Sequence, residues 1–123
     1  MHCVFDYAGG ELWLGGSQAS GRVDVLLANG INHMVSCGGP PVARDGRITY
    51  HGAFDGTALV HDRVNFDAFM AGVDNLSNVI LTGGRVLVVC RNGAHRSATV
   101  AATLLVYMTG REVQEIAHYL GAA

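Results

Sequence analysis

In this chain of 123 residues, the types and spacing that can do chemistry fall in Cys90-Arg91-Asn92-Gly93-Ala94-His95-Arg96-Ser97. A cysteine is followed, after five intervening residues, by an arginine and then at once by a serine. The stretch stands between a β-branched run, Arg85 to Val89 (RVLVV), and a nearly all-apolar run, Ser97 to Met108 (SATVAATLLVYM). A loop that joins the end of a strand to the start of a helix turns several backbone amides inward, and the helix dipole adds partial positive charge. A phosphate dianion suits that cradle. Gly93 permits backbone angles closed to residues with a Cβ, which lets the loop curl around an anion. The planar Arg96 guanidinium can donate two parallel hydrogen bonds to two phosphoryl oxygens, which a point-charge ammonium cannot match. The same groups favour the Cys90 thiolate over the thiol, whose ordinary pKa is about 8.5. Ser97 can donate a hydrogen bond to the sulfur and ease its departure from a phosphocysteine intermediate. The plainer reading is a buried strand-end cysteine and a solvent-facing helix-start arginine. The agreement of glycine, spacing and strand-loop-helix setting argues against it.

The elements that must position this loop are legible in outline. Glu11 to Gly15 (ELWLG) reads as a strand, and Ser17 as the N-cap of a helix from about Gln18 to Ala28, ended by Asn29-Gly30. Ile31 to Ser36 (INHMVS) reads as a second strand, closed by Cys37-Gly38-Gly39-Pro40-Pro41, because proline lacks the amide donor a central strand needs. Arg47 to Tyr50 (RITY) is a third, and His51 to His61 has no regular period and is expected to be a mobile loop. Phe66, Phe69, Met70, Val73, Leu76 and Ile80 recur at helical spacing and predict a core-facing stripe, stopped by Gly83-Gly84. RVLVV is the expected central strand, buried on both faces. SATVAATLLVYM predicts an interior helix, and Arg111 to Leu120 a last amphipathic one. Strands alternating with helices imply an α/β fold with a mainly parallel sheet.

Composition narrows the function classes. The length fits a single domain over residues 1–123, half of the residues are hydrophobic and 15% are charged, as in a compact folded chain. A net charge of −2 gives no general attraction to nucleic acid or to anionic membranes, so an anion site must supply its own positive field. No apolar run reaches the length of a membrane-spanning helix and no secretory leader is evident, so a cytoplasmic or nuclear location is expected. Cys3, Cys37 and Cys90 are widely spaced and odd in number, as free thiols of a reducing compartment would be. Cys37 or Cys3 remains open as a disulfide partner for an oxidised Cys90. His2, His33, His51, His61 and His118 show no metal-ligand spacing, so no metal and no cofactor are expected.

VCRNGAHRS with the preceding RVLV resembles the signature of the protein tyrosine phosphatase superfamily, and within it the dual-specificity protein phosphatases. LWLGGSQAS at Leu12 to Ser20 is similar to the family's opening strand-turn-helix, INHMVS to its second strand, and TVAATLLVYMTG to its helix after the active site. The resemblance implies a five-stranded sheet with helices on both sides and a two-step phosphocysteine mechanism without metal. Its substrates would be phosphorylated proteins bearing phosphotyrosine, with phosphoserine and phosphothreonine left open. In the resembled loop residues 91–96 bind the phosphate; Arg91 and Asn92 face outward, and His95 lines the loop. Two departures stand out: Val89 occupies the place where the family usually carries histidine, and the chain ends where the family usually continues into one more helix. A minimal or a C-terminally truncated domain is therefore expected. The sequence is silent on oligomeric state.

A general acid must protonate the leaving oxygen from a segment that reaches over the phosphate. The candidates are Asp55, Asp62 and Asp67. Asp67 falls in the first turn of the helix predicted from Phe66, where the dipole stabilises its charge, and reads as structural. Asp62 stands just before that helix. Asp55, in Phe54-Asp55-Gly56-Thr57, is the expected acid, and the resemblance agrees, since the family carries its acid early in this loop. Two rivals remain open: a catalytically impaired phosphoprotein-binding relative, suggested by Val89, and a rhodanese-like or arsenate-reductase-like thiol enzyme, against whose shorter sulfurtransferase loop the Cys90-to-Arg96 spacing argues.

Overall fold

The structure is a computed structural model that describes residues 1–37, 44–51, 63–90 and 95–122; of Ser17, Ser20, residues 63–66, Cys90, residues 95–97 and Ala122 it describes the backbone alone. In chain order come β1 (His2–Tyr7), β2 (Gly10–Gly16), a 3-10 helix (Ser17–Gly21), α1 (Val23–Ala28), β3 (His33–Cys37), β4 (Thr49–His51), α2 (Arg63–Leu81), β5 (Arg85–Cys90), α3 (His95–Thr109) and α4 (Val113–Ala122). They build a five-stranded sheet in the order β1-β2-β5-β3-β4. β2, β5, β3 and β4 run parallel, and only β1 is antiparallel to its neighbour. This is the mainly parallel α/β architecture the sequence predicts.

β5 lies at the centre because its side chains are apolar on both faces. Val86 and Val88 pack with Val73, Leu76 and Ile80 of α2 and with Leu104 and Leu105 of α3. Leu87 and Val89 face the other way, into a cluster with Leu26 of α1, Ile31, Met34 and Ile48. Each of these four β5 residues is at most 2% exposed, and burying such a side chain fully contributes about 1.5–3 kcal/mol. Of the predicted α2 stripe, Phe69, Val73, Leu76 and Ile80 are buried and Met70 is half-buried, while the side chain of Phe66 lies outside the described residues. The stop of the helix is as predicted. Gly83 takes a left-handed φ of +103°, and the amides of Gly83 and Gly84 donate to the carbonyls of Ile80 and Val79 at 3.1 and 2.7 Å.

Several boundaries differ from expectation. β1 was not foreseen. It joins β2 through a two-residue turn, Ala8-Gly9, with φ of +50° and +90°, the type I′ pattern that matches strand twist. Alanine replaces the usual Asn or Asp there, and a register shift between Cys3 and Phe5 breaks the alternation that marks a strand. The helix predicted over 18–28 is two pieces, because Arg22 (φ −105°, ψ 65°) after Gly21 leaves helical geometry. Ser17 is accordingly the first residue of the 3-10 helix and not an N-cap; Gly16 holds that position. Ile31 precedes β3 and is fully buried, its amide donating to the Leu26 carbonyl at 3.0 Å to close α1.

Arg47 lies outside β4 because Asp45 holds it in a turn: the Arg47 amide and guanidinium donate to the Asp45 carboxylate at 2.9 Å, which keeps that carboxyl down at about 2. α2 begins at Arg63, so Asp67 is its fifth residue and not part of the first turn. α3 is interior on one side only, since Val100, Ala101, Leu104 and Leu105 are buried while Thr99 and Tyr107 are exposed. α4 begins at Val113 and not at Arg111, and its Tyr119 hydroxyl donates to the Val4 carbonyl at 2.6 Å, tying α4 to the sheet edge.

Gly10, at the start of β2, sits against the last turn of α2, where a Cβ would overlap the Ile80 carbonyl. Backbone cannot yield as a flexible side chain can. Gly10→Ala is expected to destabilise the fold by about 2–4 kcal/mol, read as a lower urea midpoint, whereas Gly16→Ala, which meets nothing within 4 Å, should leave the midpoint nearly unchanged.

Candidate functional site

Three parallel strands deliver their ends to one edge of the sheet. The register pairs Gly16 of β2 with Cys90 of β5 and Cys90 with Cys37 of β3, so the candidate nucleophile ends the central strand with one residue flanking it on each side. Gly16 adds no side chain to that row, and a Cβ on it would stand in open space. α3 begins five residues after Cys90, at His95, with Arg96 and Ser97 as its next residues. β5 thus ends at Cys90 and α3 begins at His95, on either side of residues 91–94.

Arg91, Asn92, Gly93 and Ala94 lie outside the described residues, as do Asp55 and Asp62. Of Cys90, His95, Arg96 and Ser97 the backbone position is described. Asp67 is exposed on α2, one residue beyond the helix's first four.

The two other cysteines separate by register. Cys37 is 1% exposed and stands beside Cys90, at the spacing of neighbouring strands, about 4.8 Å, which falls inside the Cα range a disulfide accepts. Cys3 pairs with Trp13, which in turn pairs with Leu87, so it lies two strands away and three residues short of the Cys90 row. Burial pushes the Cys3 thiol pKa up, the more so for the nearby Glu11 and Asp6, and its Sγ donates to the Phe5 carbonyl at 3.3 Å. It has the character of an unreactive thiol.

One polar pair was invisible in the sequence spacing. His33 Nδ1 and His51 Nε2 stand 3.0 Å apart across β3 and β4, with ring centroids 5.3 Å apart. Burial lowers both imidazole pKa values, and the neighbouring His51 lowers that of His33 further. Eighteen residues separate them in the chain, so only strand pairing brings them together. Among the described residues there is no group of three or more histidine, cysteine or acidic side chains able to hold a metal, and no helix long and apolar enough to cross a membrane.

No family model matches the chain, and no curated protein matches it in sequence. Solved structures do match it in fold. A mouse protein assigned as a dual specificity phosphatase, solved as its zinc tungstate complex, superposes with a TM-score of 0.76 at 22% identity, over 91% of this chain and 70% of that one. Human DUSP28 does so with a TM-score of 0.74 at 21% identity, over 91% and 78%. The human tyrosine phosphatase-like serine/threonine/tyrosine-interacting protein does so with a TM-score of 0.70 at 19% identity, over 90% and 78%. The fold of this chain is that of the dual-specificity phosphatases, as the resemblance of its loop and flanking elements implies.

Val89, the departure from the family's usual histidine, is 2% exposed in an apolar cluster with Leu26, Met34, Ile48 and Leu87. Among these apolar side chains an imidazole would lose water, and burial would hold it neutral. Val89→His is therefore expected to cost about 1–3 kcal/mol, measured by urea unfolding at neutral pH; a midpoint equal to that of the parent chain would show that the surroundings of this position already accommodate an imidazole.

Proposed function

We propose that this chain is a cysteine-dependent phosphatase that hydrolyses phosphotyrosine in proteins, with phosphoserine and phosphothreonine left open as further substrates. The observation that carries the reading is the end of the central strand: Cys90 closes β5, and α3 starts at His95, within the motif that ends in Arg96 and Ser97. The phosphatase fold of the neighbours supports it.

In the first step the Cys90 thiolate attacks phosphorus. An S–P bond forms as the P–O ester bond breaks, and the leaving oxygen takes the proton of Asp55. Amides of residues 91–96 and the Arg96 guanidinium hold the equatorial oxygens, where charge is greatest in the transition state. In the second step the Asp55 carboxylate takes a proton from water as the water oxygen attacks phosphorus. The S–P bond breaks, Ser97 steadies the departing thiolate, and inorganic phosphate leaves. No metal ion takes part. A second reading, a phosphoprotein-binding relative with little turnover, is favoured by Val89 and by the likeness to the phosphatase-like interacting protein. It predicts phosphopeptide binding without release of phosphate. The sulfurtransferase reading predicts persulfide formation from thiosulfate, which the long Cys90-to-Arg96 loop disfavours.

Cys90→Ser is expected to abolish hydrolysis of p-nitrophenyl phosphate and of phosphotyrosine peptides while leaving vanadate or sulfate binding nearly intact, because the amides and Arg96 remain. Arg96→Lys should weaken both binding and turnover, since the charge stays and the fork is lost. Near-parental activity in Cys90→Ser would remove the nucleophile assignment. Asp55→Asn should lower kcat by roughly 10²-fold or more on esters with poor leaving groups, and by less when the leaving group needs no proton. If Asp62→Asn shows that dependence instead, the acid is Asp62.

A further inference from the structure

We propose that His33 and His51 form a proton-sensitive clasp on the edge strand β4, closed while at least one of the two imidazoles is neutral and opened when both are protonated. The clasp stands apart from the candidate phosphatase site. His33 pairs with Val86, four residues before Cys90 on β5, so roughly 13 Å of strand separates that row from the Cys90 row.

The register sets Thr49 opposite His33 and His51 opposite Val35, so the two histidines are diagonal neighbours on one face of adjacent strands. His33 Nδ1 and His51 Nε2 lie 3.0 Å apart, and the ring centroids 5.3 Å apart. The second distance is the first plus one ring radius at each end, so the two nitrogens lie on the line between the rings and point at each other. One must donate and the other accept. A neutral pair meets that condition, and so does a pair carrying one extra proton, which makes a charge-assisted N–H···N bond. A second proton sets two N–H donors head to head with no lone pair between them, and the bond is lost.

β4 has three residues and lies at the edge of the sheet, paired with β3, so one side-chain bond is a large share of what fixes it. Among the described residues, the charged and titratable groups on the surrounding elements have other settings. Arg47 is held by Asp45, Arg85 by Glu11, Arg44 lies over the Tyr50 ring, and the Tyr50 hydroxyl accepts the Asp45 amide. On α2, Asp74 accepts from the Tyr107 hydroxyl and Asp67 is exposed, and Cys37 stands four residues along β3 from His33. None of them offsets the second proton: burial lowers both imidazole pKa values, and His51 lowers that of His33 further. An imidazole pKa lowered on folding contributes stability that is whole above the ordinary value of about 6.5 and is lost as pH falls below it. The chain runs from His51 directly into residues 52–62, which carry Asp55, so under the phosphatase reading an open clasp loosens the strand that leads to the proposed acid.

The test is hydrogen–deuterium exchange of the whole chain between about pH 7.5 and about pH 5, either side of the ordinary imidazole value and corrected for intrinsic rates. The Thr49 amide, which donates to the Asn32 carbonyl at 2.9 Å, reports on β4. Its protection is expected to fall by up to about tenfold for each pH unit and each proton taken up, and at the acid end to stay at least about tenfold below that of Val88 in the central strand. In His51→Gln the glutamine oxygen accepts from a protonated His33, so most of the fall should disappear, whereas His51→Ala should leave the Thr49 amide weakly protected at both ends of the range. Turnover does not enter the readout, so the clasp and the phosphatase reading fail separately. Constant protection of Thr49 in the parent, a fall as steep in His51→Gln as in the parent, or exchange of Thr49 and Val88 in step at the acid end would overturn the proposal.

Discussion

The burial of β5 on both faces is the constraint on which the rest of the molecule depends. Because Val86 and Val88 are covered by α2 and α3, and Leu87 and Val89 by α1 and its surroundings, the strand can occupy only the middle of the sheet. Its parallel neighbours must then be connected through helices, and their carboxyl ends collect at one edge. That edge is where open parallel sheets bind ligands, since loop backbones and helix amino ends converge there. Cys90 stands at the midpoint of the edge as a consequence of packing, before any chemistry is considered.

The surrounding elements act as supports of that row. Gly10 and Gly84 allow the end of α2 to lie close to the sheet. Trp13 donates to Glu11 at 2.8 Å, and Arg85 donates to the Asn29 and Gly9 carbonyls at 3.4 Å, fixing the amino ends of β2 and β5. Arg85 also receives order from Asn32, whose side-chain oxygen accepts its amide at 2.9 Å. These contacts sit at the opposite end of the strands from Cys90. The scaffold is thus tied at the end away from the chemistry, and the site is left to the loops.

How much was legible from residues alone follows from where the signal is local. RVLVV could only be a doubly buried strand, and the α2 stripe with its Gly83-Gly84 stop carries its own period and punctuation. The cysteine motif stands out because the phosphate recognition proposed for it needs fixed residue types at fixed spacing. β1 was hidden because an edge strand needs only Val4 fully buried, and its bulge and Ala8-Gly9 turn erase the usual signs. The break at Gly21-Arg22 and the Asp45-Arg47 turn depend on backbone geometry that helix and strand periodicity do not encode. The flanking of Cys90 by Gly16 and Cys37, and the meeting of His33 with His51, are products of register between strands far apart in the chain, and no local pattern contains them. The proposal of Asp55 as the acid rests on loop position and family resemblance, since residues 52–62 lie outside the described part of the structure.

The central claim is that Cys90 carries the phosphoryl group between ester and water. The most direct measurement is a rapid quench of the chain turning over p-nitrophenyl phosphate, followed by mass spectrometry of its peptides. The account predicts a phosphoryl group on the peptide containing Cys90, at its sulfur, and none when Cys90 has been alkylated with iodoacetate. A phosphoryl group on another side chain, or undiminished turnover by the alkylated protein, would contradict it.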